Sequence, residues 1–552
     1  MTHTDVLIVG AGPVGLMLAC ELRRRDIRCR LIDKYADYPP TSRANGLLPR
    51  ALEVLDSLGI ADEIVAEGYQ VTGARIMRDG KELARLDGVF AAENARTSGV
   101  SVNQAVVEGA LRKKLAELGG EVEKQRELLS LQDGPDHVVA EISDLSAGAT
   151  ERLSAKWVVG CDGAHSTVRT LIGLSFEGKE YPDQFVQADV HLSDGLPAGM
   201  ASIYLNDEGL LVAIPFKEPG LWRLLAEGLP DASGHVPQAS PELFQQMLRT
   251  RAHDSNTKIL DTVWLSNFIV HHRIVDHYRR GHVFVAGDAA HIHSPVGGQG
   301  MNTGIQDAYN LGWKLALVVN ENAPDRLLDT YETERLPVGI DVLRQTDVNH
   351  RVRLASVPGM KFLTDRIAMP LLQIEPIRNM LVNAFMKRGS QLGVNYEDSP
   401  LSQNRGNIGK GPEAGDRAPD GQLLNADGTP TTLFDLFRTT QFRLLVFQGS
   451  RRTGAVAQLV EAAQNISALG DGLILSIVIT TDDTTRVPNT DGIVALGDPS
   501  GAVHATYGAE AACLYLVRPD GYVGYRAPLA DQESLHAYLQ DNFGVTVRQP
   551  NS

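Results

Sequence analysis

Three short stretches of this chain carry residue types able to hold a dinucleotide: Gly10-Ala11-Gly12-Pro13-Val14-Gly15, Cys161-Asp162-Gly163 and Gly287-Asp288-Ala289-Ala290. In the first, glycines allow a tight turn, let the backbone approach a pyrophosphate, and bring a helix close to a strand. The helix start then offers unpaired N–H groups and the positive end of its dipole. Asp33, with Lys34 beside it, stands ~20 residues further on, where a carboxylate accepts hydrogen bonds from both ribose hydroxyls. Asp288 follows an apolar run, where an ionised carboxylate is costly without donors. A polyol chain supplies such donors. Between Ser294 and Asn302, Pro295 and the glycines at 297, 298 and 300 let backbone N–H groups face a ligand. Met301 and Asn302 open a helix whose positive end suits the negative charge that a flavin's pyrimidine edge gains on reduction. One glycine loop is ambiguous, whereas the ordered set points to FAD held along its length.

These residues need elements to position them. Residues 6–9 are an apolar, β-rich run that reads as a buried parallel strand ending at Gly10. Gly15, Leu18, Ala19 and Leu22 follow at helical spacing, and residues 28–32 form the next strand, closing a Rossmann-type βαβ unit at Asp33. Helices are predicted over 49–58, with Gly59 as its cap, and near 106–118. A strand over 156–160 delivers Asp162, and a strand over 282–286 precedes Asp288 and a long helix over 302–319. From 176 to 278 the texture changes to short strands, such as 185–192, 201–205 and 210–216, separated by Gly, Pro and Asp turns. Tyr204, Phe216, Trp222 and Phe268 on this β-rich insert are either core or the lining of an aromatic pocket. The methionines at 360, 369, 380 and 386 read as helical packing or as a pliable lid.

Residues 395–421 are rich in Asn, Gly, Pro and Ser and predict a linker. Beyond it, strands at 442–447 and 474–480 and a hairpin turning at Asp520-Gly521 predict a separate C-terminal α/β domain. The expected fold is α/β: a discontinuous FAD-binding domain (1–175 and 280–345), a β-rich substrate domain (176–279), a helical segment (346–400) and a C-terminal domain (401–552).

Composition narrows the function. A chain of 552 residues implies more than one core. A net charge of -16 argues against nucleic acid or an anionic membrane as partner. No apolar run approaches the ~20 residues of a membrane span. The four cysteines, Cys20, Cys29, Cys161 and Cys513, form no Cys-x-x-Cys pair, which disfavours zinc and disulfides and fits a reducing cytoplasm. His271-His272 and His291-Ile292-His293 lack the partners of a recognisable metal set, so no metal is expected. His291 reads as packing beside the Asp288 turn rather than as a catalytic group.

The run from Gly287 to His291, the stretch from Pro295 to Asn302 and the segment Asp307-Ala308-Tyr309-Asn310-Leu311 resemble the single-component aromatic hydroxylases of the para-hydroxybenzoate hydroxylase family. The segment from Cys161 to Arg169 resembles that family's second motif, and the likeness covers residues 4 to 345. It implies that Asp162 belongs to an element tied to FAD and pyridine nucleotide, and that Asp288 contacts the ribityl chain. It also implies that Arg43 lies near the FAD phosphates, Gln104 beside the flavin, and Pro295 and Gly298 in a loop next to it. Asp33 departs from the pattern, since glutamate is commoner there. The tail, through Gly415-Asp416-Arg417-Ala418-Pro419 and the run from Val517 to Tyr522, resembles the thioredoxin-like domain of the phenol and aromatic-polyketide hydroxylase branch. Where a redox protein places its cysteines, this chain has Gly449-Ser450-Arg451-Arg452, so thiol chemistry is unavailable there.

The activity implied is hydroxylation of a phenolic or polycyclic aromatic molecule with NADPH or NADH and O2, through a flavin C4a-hydroperoxide and without a protein nucleophile. The likeness is compatible with a homodimer. The alternatives are an FAD-dependent reductase or dehydrogenase of the same fold acting without oxygen insertion, and a catalytically silent flavin-binding scaffold. A further expectation is that removing residues 410–552 leaves cofactor content largely intact.

Overall fold

The computed structural model describes residues 2–38, 44–88, 98–193, 196–197, 199–206, 208–229, 236–293, 298–353, 374, 376, 390–470, 472–481 and 492–545. Arg43, Pro295 and the four methionines between 360 and 386 lie outside the described residues.

The strand Thr2–Val9 is central because it is apolar on both faces. It pairs in parallel with Cys29–Asp33 on one side and Ala149–Gly160 on the other, with Val9 opposite Ile32 and Gly160. Val283–Val285 continues the parallel set beyond Gly160. All four strands therefore end along one edge, and Gly10, Asp33, Asp162 and Gly287 emerge there together. Ligands bind at that edge of open α/β sheets. The helices Pro13–Arg23 and Gly300–Val319 pack closely, and a Cβ on Gly312 would come 2.8 Å from the Glu21 Cβ.

The β-rich part is one eight-stranded sheet. Its strands run in the order His291–Ile292, Ile259–Val275, Phe176–Leu192, Leu221–Gly228, Gly209–Pro215, Met200–Asn206, Gly73–Arg78 and Lys81–Asp87. The last two correct the boundary drawn from sequence, which gave residues 73–87 to the nucleotide-binding part. Their place is fixed by parallel pairing, Gly73 opposite Met200 through Arg78 opposite Leu205, and local patterning carries no signal of a partner so far along the chain.

A third eight-stranded sheet spans Gln403–Asn404 to Val523–Pro528. Phe442–Phe447 crosses over through the helix Val456–Leu469 to the parallel strand Ile474–Thr480. Cys513–Val517 and Val523–Pro528 form the hairpin. This domain is not separate. Trp313 and Leu327, from the nucleotide-binding part, belong to the same hydrophobic cluster as Phe442, Leu444 and Phe543. Residues 395–421 are likewise no free tether. The Tyr396 hydroxyl accepts from Arg335 at 3.0 Å, and the Ser399 hydroxyl donates to Glu334 at 2.7 Å. Turn-rich composition reports irregular backbone, not a lack of tertiary contacts. Removing residues 410–552 would strip one side from Trp313 and Leu327.

Candidate active site

The turn after Thr2–Val9 uses its three glycines differently. Gly10 has φ +100°, and a Cβ there would lie 2.4 Å from the Cys161 carbonyl oxygen. A Cβ on Gly15 would fall 1.9 Å from the Gly10 carbonyl oxygen. Both are closed by backbone. A Cβ on Gly12 meets no atom of the described residues within 4 Å. Pro13 opens the helix, and no side chain caps it. The loop thus has one open approach, at its uncapped, dipole-positive end, and the residues fit a pyrophosphate.

Asp33 is tied to this loop: one carboxylate oxygen accepts from the Ala11 N–H at 2.7 Å and the other from the Tyr35 N–H at 2.9 Å. It remains partly exposed, and Lys34 stands exposed beside it. Asp162 has a local role. It accepts from the Ser166 hydroxyl at 2.5 Å and from the Thr167 and Val168 N–H groups at 2.7 and 3.1 Å, holding the start of the helix Thr167–Leu171. From that helix Arg169 donates to the Ala289 carbonyl at 3.0 Å and so links the second motif to the third.

The third motif turns at Gly287, φ +60°, where a Cβ would lie 2.7 Å from Val14. Gly304 opens the other side of the same notch, 2.6 Å from Val14. The glycine loop and the Asp288 turn are therefore in direct contact. Beneath them lies Asp307, fully buried. One oxygen of Asp307 accepts from the Gly287 N–H at 3.0 Å and pairs with His291 Nε2 at 2.8 Å; the other accepts from Arg335 at 2.7 Å. Burial alone would raise the Asp307 carboxyl, and Arg335 and His291 overcome that and hold it below the ordinary range.

Asp288 contrasts with this. Its carboxylate is exposed and has no hydrogen-bond donor among the described residues. Enclosure by the surrounding protein nevertheless raises its carboxyl, with a smaller push from Asp307 and an opposing pull from His291. Exposure and enclosure point in different directions. Exposure decides the matter here, because a carboxylate in a crevice is both crowded and reachable. It fits a ribityl chain, whose hydroxyls are the missing donors.

Asn302 is wholly buried at the start of Gly300–Val319. It accepts from the Leu48 N–H at 2.8 Å and donates to the carbonyls of Gly46 at 3.2 Å and Gly298 at 2.6 Å. Its part is to fasten two loops; Met301 is buried next to it, and Gly298 and Gly300 sit in or beside the fastened turn. Gln104 starts the helix Gln104–Glu117 and donates to Glu108 at 2.8 Å. Spacing alone does not single out Asp307 and Arg335 as functional. The available signal was a buried acid within the apolar helix Gly300–Val319.

The aromatic candidates divide between two faces. Tyr204 and Trp222 pack with Phe244 and Leu248 in the core beneath the helix Pro241–Thr250. This takes both away from the opposite face. Phe268 lies on that opposite face, its ring 5.9 Å from Phe185 at an interplanar angle of 16°. Ala201 and Ile214, on this second face, pack with Tyr69 and Val71, beside the small sheet that contains Asn45. Phe216 is partly buried, with the Arg223 guanidinium 5.4 Å from its ring centre. Among the described residues no His, Cys, Asp or Glu cluster is placed to hold a metal, and no helix is long and apolar enough to cross a membrane.

Residues 3–346 match the family model described as FAD binding domain, and residues 411–546 match that of the aromatic-ring hydroxylase C-terminal region. The chain is 34% identical over 547 residues to the 6-methylpretetramide 4-monooxygenase of Streptomyces rimosus, covering 97% of this chain and 93% of that one. It is 34% identical over 531 residues to the pentachlorophenol 4-monooxygenase of Sphingobium chlorophenolicum, covering 95% and 94%. Among solved structures, the OxyS anhydrotetracycline hydroxylase from Streptomyces rimosus superposes with a TM-score of 0.74 at 29% identity, over 98% of this chain and 99% of that one.

Proposed function

The chain belongs to the FAD-binding aromatic-ring hydroxylases, and from that premise we propose that it hydroxylates a substituted or polycyclic phenol. It is an FAD-dependent monooxygenase, with NAD(P)H as co-substrate and a small aromatic molecule as substrate. The monooxygenase relatives favour this over a reductase or dehydrogenase that inserts no oxygen. Bound FAD supplies the oxidising chemistry, taking electrons from the nicotinamide, and O2 is the oxygen donor in this reading. NADPH is the favoured nucleotide by family habit alone.

The protein's own residues bind, orient and exclude water. Gly10, Gly12, Pro13, Val14 and Gly15 cradle the pyrophosphate, and Asp33 with Lys34 takes the ribose. Asp288 accepts from the ribityl hydroxyls, while Gly287, Gly298, Gly300, Met301 and Asn302 shape the flavin edge. Arg43, Gln104, Asp162 and Pro295 enter this list through family likeness.

The observation that carries the substrate reading is the Phe185–Phe268 stack, on the sheet face turned towards the small Asn45 sheet. Gln187 alternates onto the same face, is 1% exposed, and its amide nitrogen has no hydrogen-bond partner among the described residues. An unpaired buried donor among apolar rings suits an aromatic ligand that bears oxygen. The unpaired cysteines support a cytoplasmic setting, and a homodimer belongs to the same reading.

The test is a panel of phenols, from one ring to four fused rings, incubated with holoenzyme, NADPH or NADH, and O2. Oxygen-dependent nucleotide consumption with a product heavier by one oxygen atom is expected. Peroxide as the sole product with every phenol contradicts it.

A further inference from the structure

The C-terminal domain meets the nucleotide-binding part through a turn whose every charge is answered. Arg518 donates twice to Glu334, at 2.7 and 2.8 Å, and also to Asp520. Asp520 accepts from Trp313 Nε1 at 3.1 Å, and its carbonyl accepts from Arg50 at 2.8 Å. The Pro519 carbonyl accepts from the Tyr309 hydroxyl at 3.0 Å. Glu334 takes further donors from Lys314 at 2.8 Å and Asn310 at 2.6 Å. Arg518, Lys314, Glu334 and Asp520 are all at most 3% exposed.

These contacts lead into the flavin site. Tyr309, Asn310, Trp313 and Lys314 lie on Gly300–Val319, the helix that also carries Asn302 and Asp307. Glu334, which Arg518 holds, is followed by Arg335, which holds Asp307. Asp307 in turn accepts from the Gly287 N–H that sets the Asp288 turn. Tyr396 stands between the two arginines, its hydroxyl accepting from Arg335 and its ring 5.3 Å from the Arg518 guanidinium.

We propose that the Arg518-Pro519-Asp520 turn is a positioning element of the flavin site, reaching the Asp288 turn through Glu334, Arg335 and Asp307. Without Arg518, Glu334 keeps its buried charge but loses its bidentate partner. The helix Asp329–Arg353 must then shift or admit water. Arg335 is the next residue along, so Asp307 and the Gly287 N–H inherit that shift. The inference rests on the reading that Asp288 holds the ribityl chain.

The full-length holoenzyme, Arg518→Gln, the double variant Arg518→Gln/Glu334→Gln, and Asp498→Asn are each titrated with FAD. Each is then examined by visible circular dichroism at saturating flavin. Asp498 pairs with His504 at 2.8 Å in the core of the same C-terminal domain, away from the turn, and serves as the control for general destabilisation. Arg518→Gln is expected to weaken FAD binding by about tenfold, within the range for coupled buried partners, and to change the flavin spectrum. Neutralising Glu334 as well should recover most of both, and Asp498→Asn should lower thermal stability without moving either.

Unchanged affinity and spectrum in Arg518→Gln overturn the proposal, as does an equal loss in Asp498→Asn. Should Arg518→Gln fail to fold, Tyr309→Phe removes only the bond to the Pro519 carbonyl. A loss of about twofold or more then supports the proposal, and none overturns it. If Asp288→Ala itself binds FAD normally, the reading of the site has failed rather than the role of the turn.

Discussion

Two turns bear on the helix Gly300–Val319 from opposite parts of the chain, and they treat polar groups in opposite ways. Around Gly12 and Asp288 there is, among the described residues, an uncapped helix start, an open approach with no atom within 4 Å of a Cβ, and a carboxylate with no donor. Around Arg518 and Asp520 every charge is buried and paired. Burying polar groups is tolerable only when they are satisfied, so a fully paired turn belongs to architecture and an unpaired one awaits a ligand. The same contrast appears at the site itself, where Asp307 has three partners and Asp288 has none among the described residues.

Substitutions that exchange these characters test the comparison. The largest effect is expected at Gly15, where a valine Cβ meets the Gly10 carbonyl oxygen at 1.9 Å; Gly15→Val should fail to yield soluble folded protein. Gly12→Val, with free space around its Cβ, should fold with normal circular dichroism yet bind no FAD. Glu334→Ala removes the carboxylate that Lys314 pairs with and leaves Arg518 only Asp520, and should reduce unfolding stability by about 3–5 kcal/mol in denaturant titration.

Asp288→Ala should leave stability nearly untouched while costing about 1.5–3 kcal/mol in FAD affinity, the worth of a charge-assisted hydrogen bond. The raised carboxyl of Asp288 adds a pH signature. In the apoprotein its ionisation weakens folding as pH rises through the raised value, whereas the ionised form is the better acceptor for hydroxyls. FAD affinity should therefore fall on acidification at a higher pH than an ordinary aspartate would dictate, and Asp288→Asn should lose that dependence. Smallest is Tyr204→Phe. It removes a hydroxyl 3.1 Å from Arg75 on the helix-covered face, for about 0.5–1.5 kcal/mol of stability. KM for the aromatic substrate should not change.

Much of the nucleotide-binding half was legible because its signals are local. A βαβ unit writes strand, glycine turn and helix within 33 residues, and the observed strand Thr2–Val9 and helix Pro13–Arg23 fall where the apolar spacing puts them. The long helix expected over 302–319 runs over Gly300–Val319. What sequence left hidden depends on partners distant in the chain. Gly73–Arg78 joins the β-rich sheet only through pairing with Met200–Asn206. Tyr204 and Phe268 look alike as aromatic residues in strands, and only the helix Pro241–Thr250 decides which face is core. Arg518 reads only as a residue beside a hairpin turn until Glu334, 184 positions away, is placed against it.

The central claim is that one FAD lies between the Gly12 turn and Asp288. It is tested most directly by titrating full-length apoprotein with FAD beside Asp288→Ala and following the flavin absorbance. The account predicts one FAD per chain for the wild-type protein and binding weaker by about 10- to 150-fold in the variant. A wild-type chain that stays colourless, or a variant that binds as tightly as wild type, contradicts it.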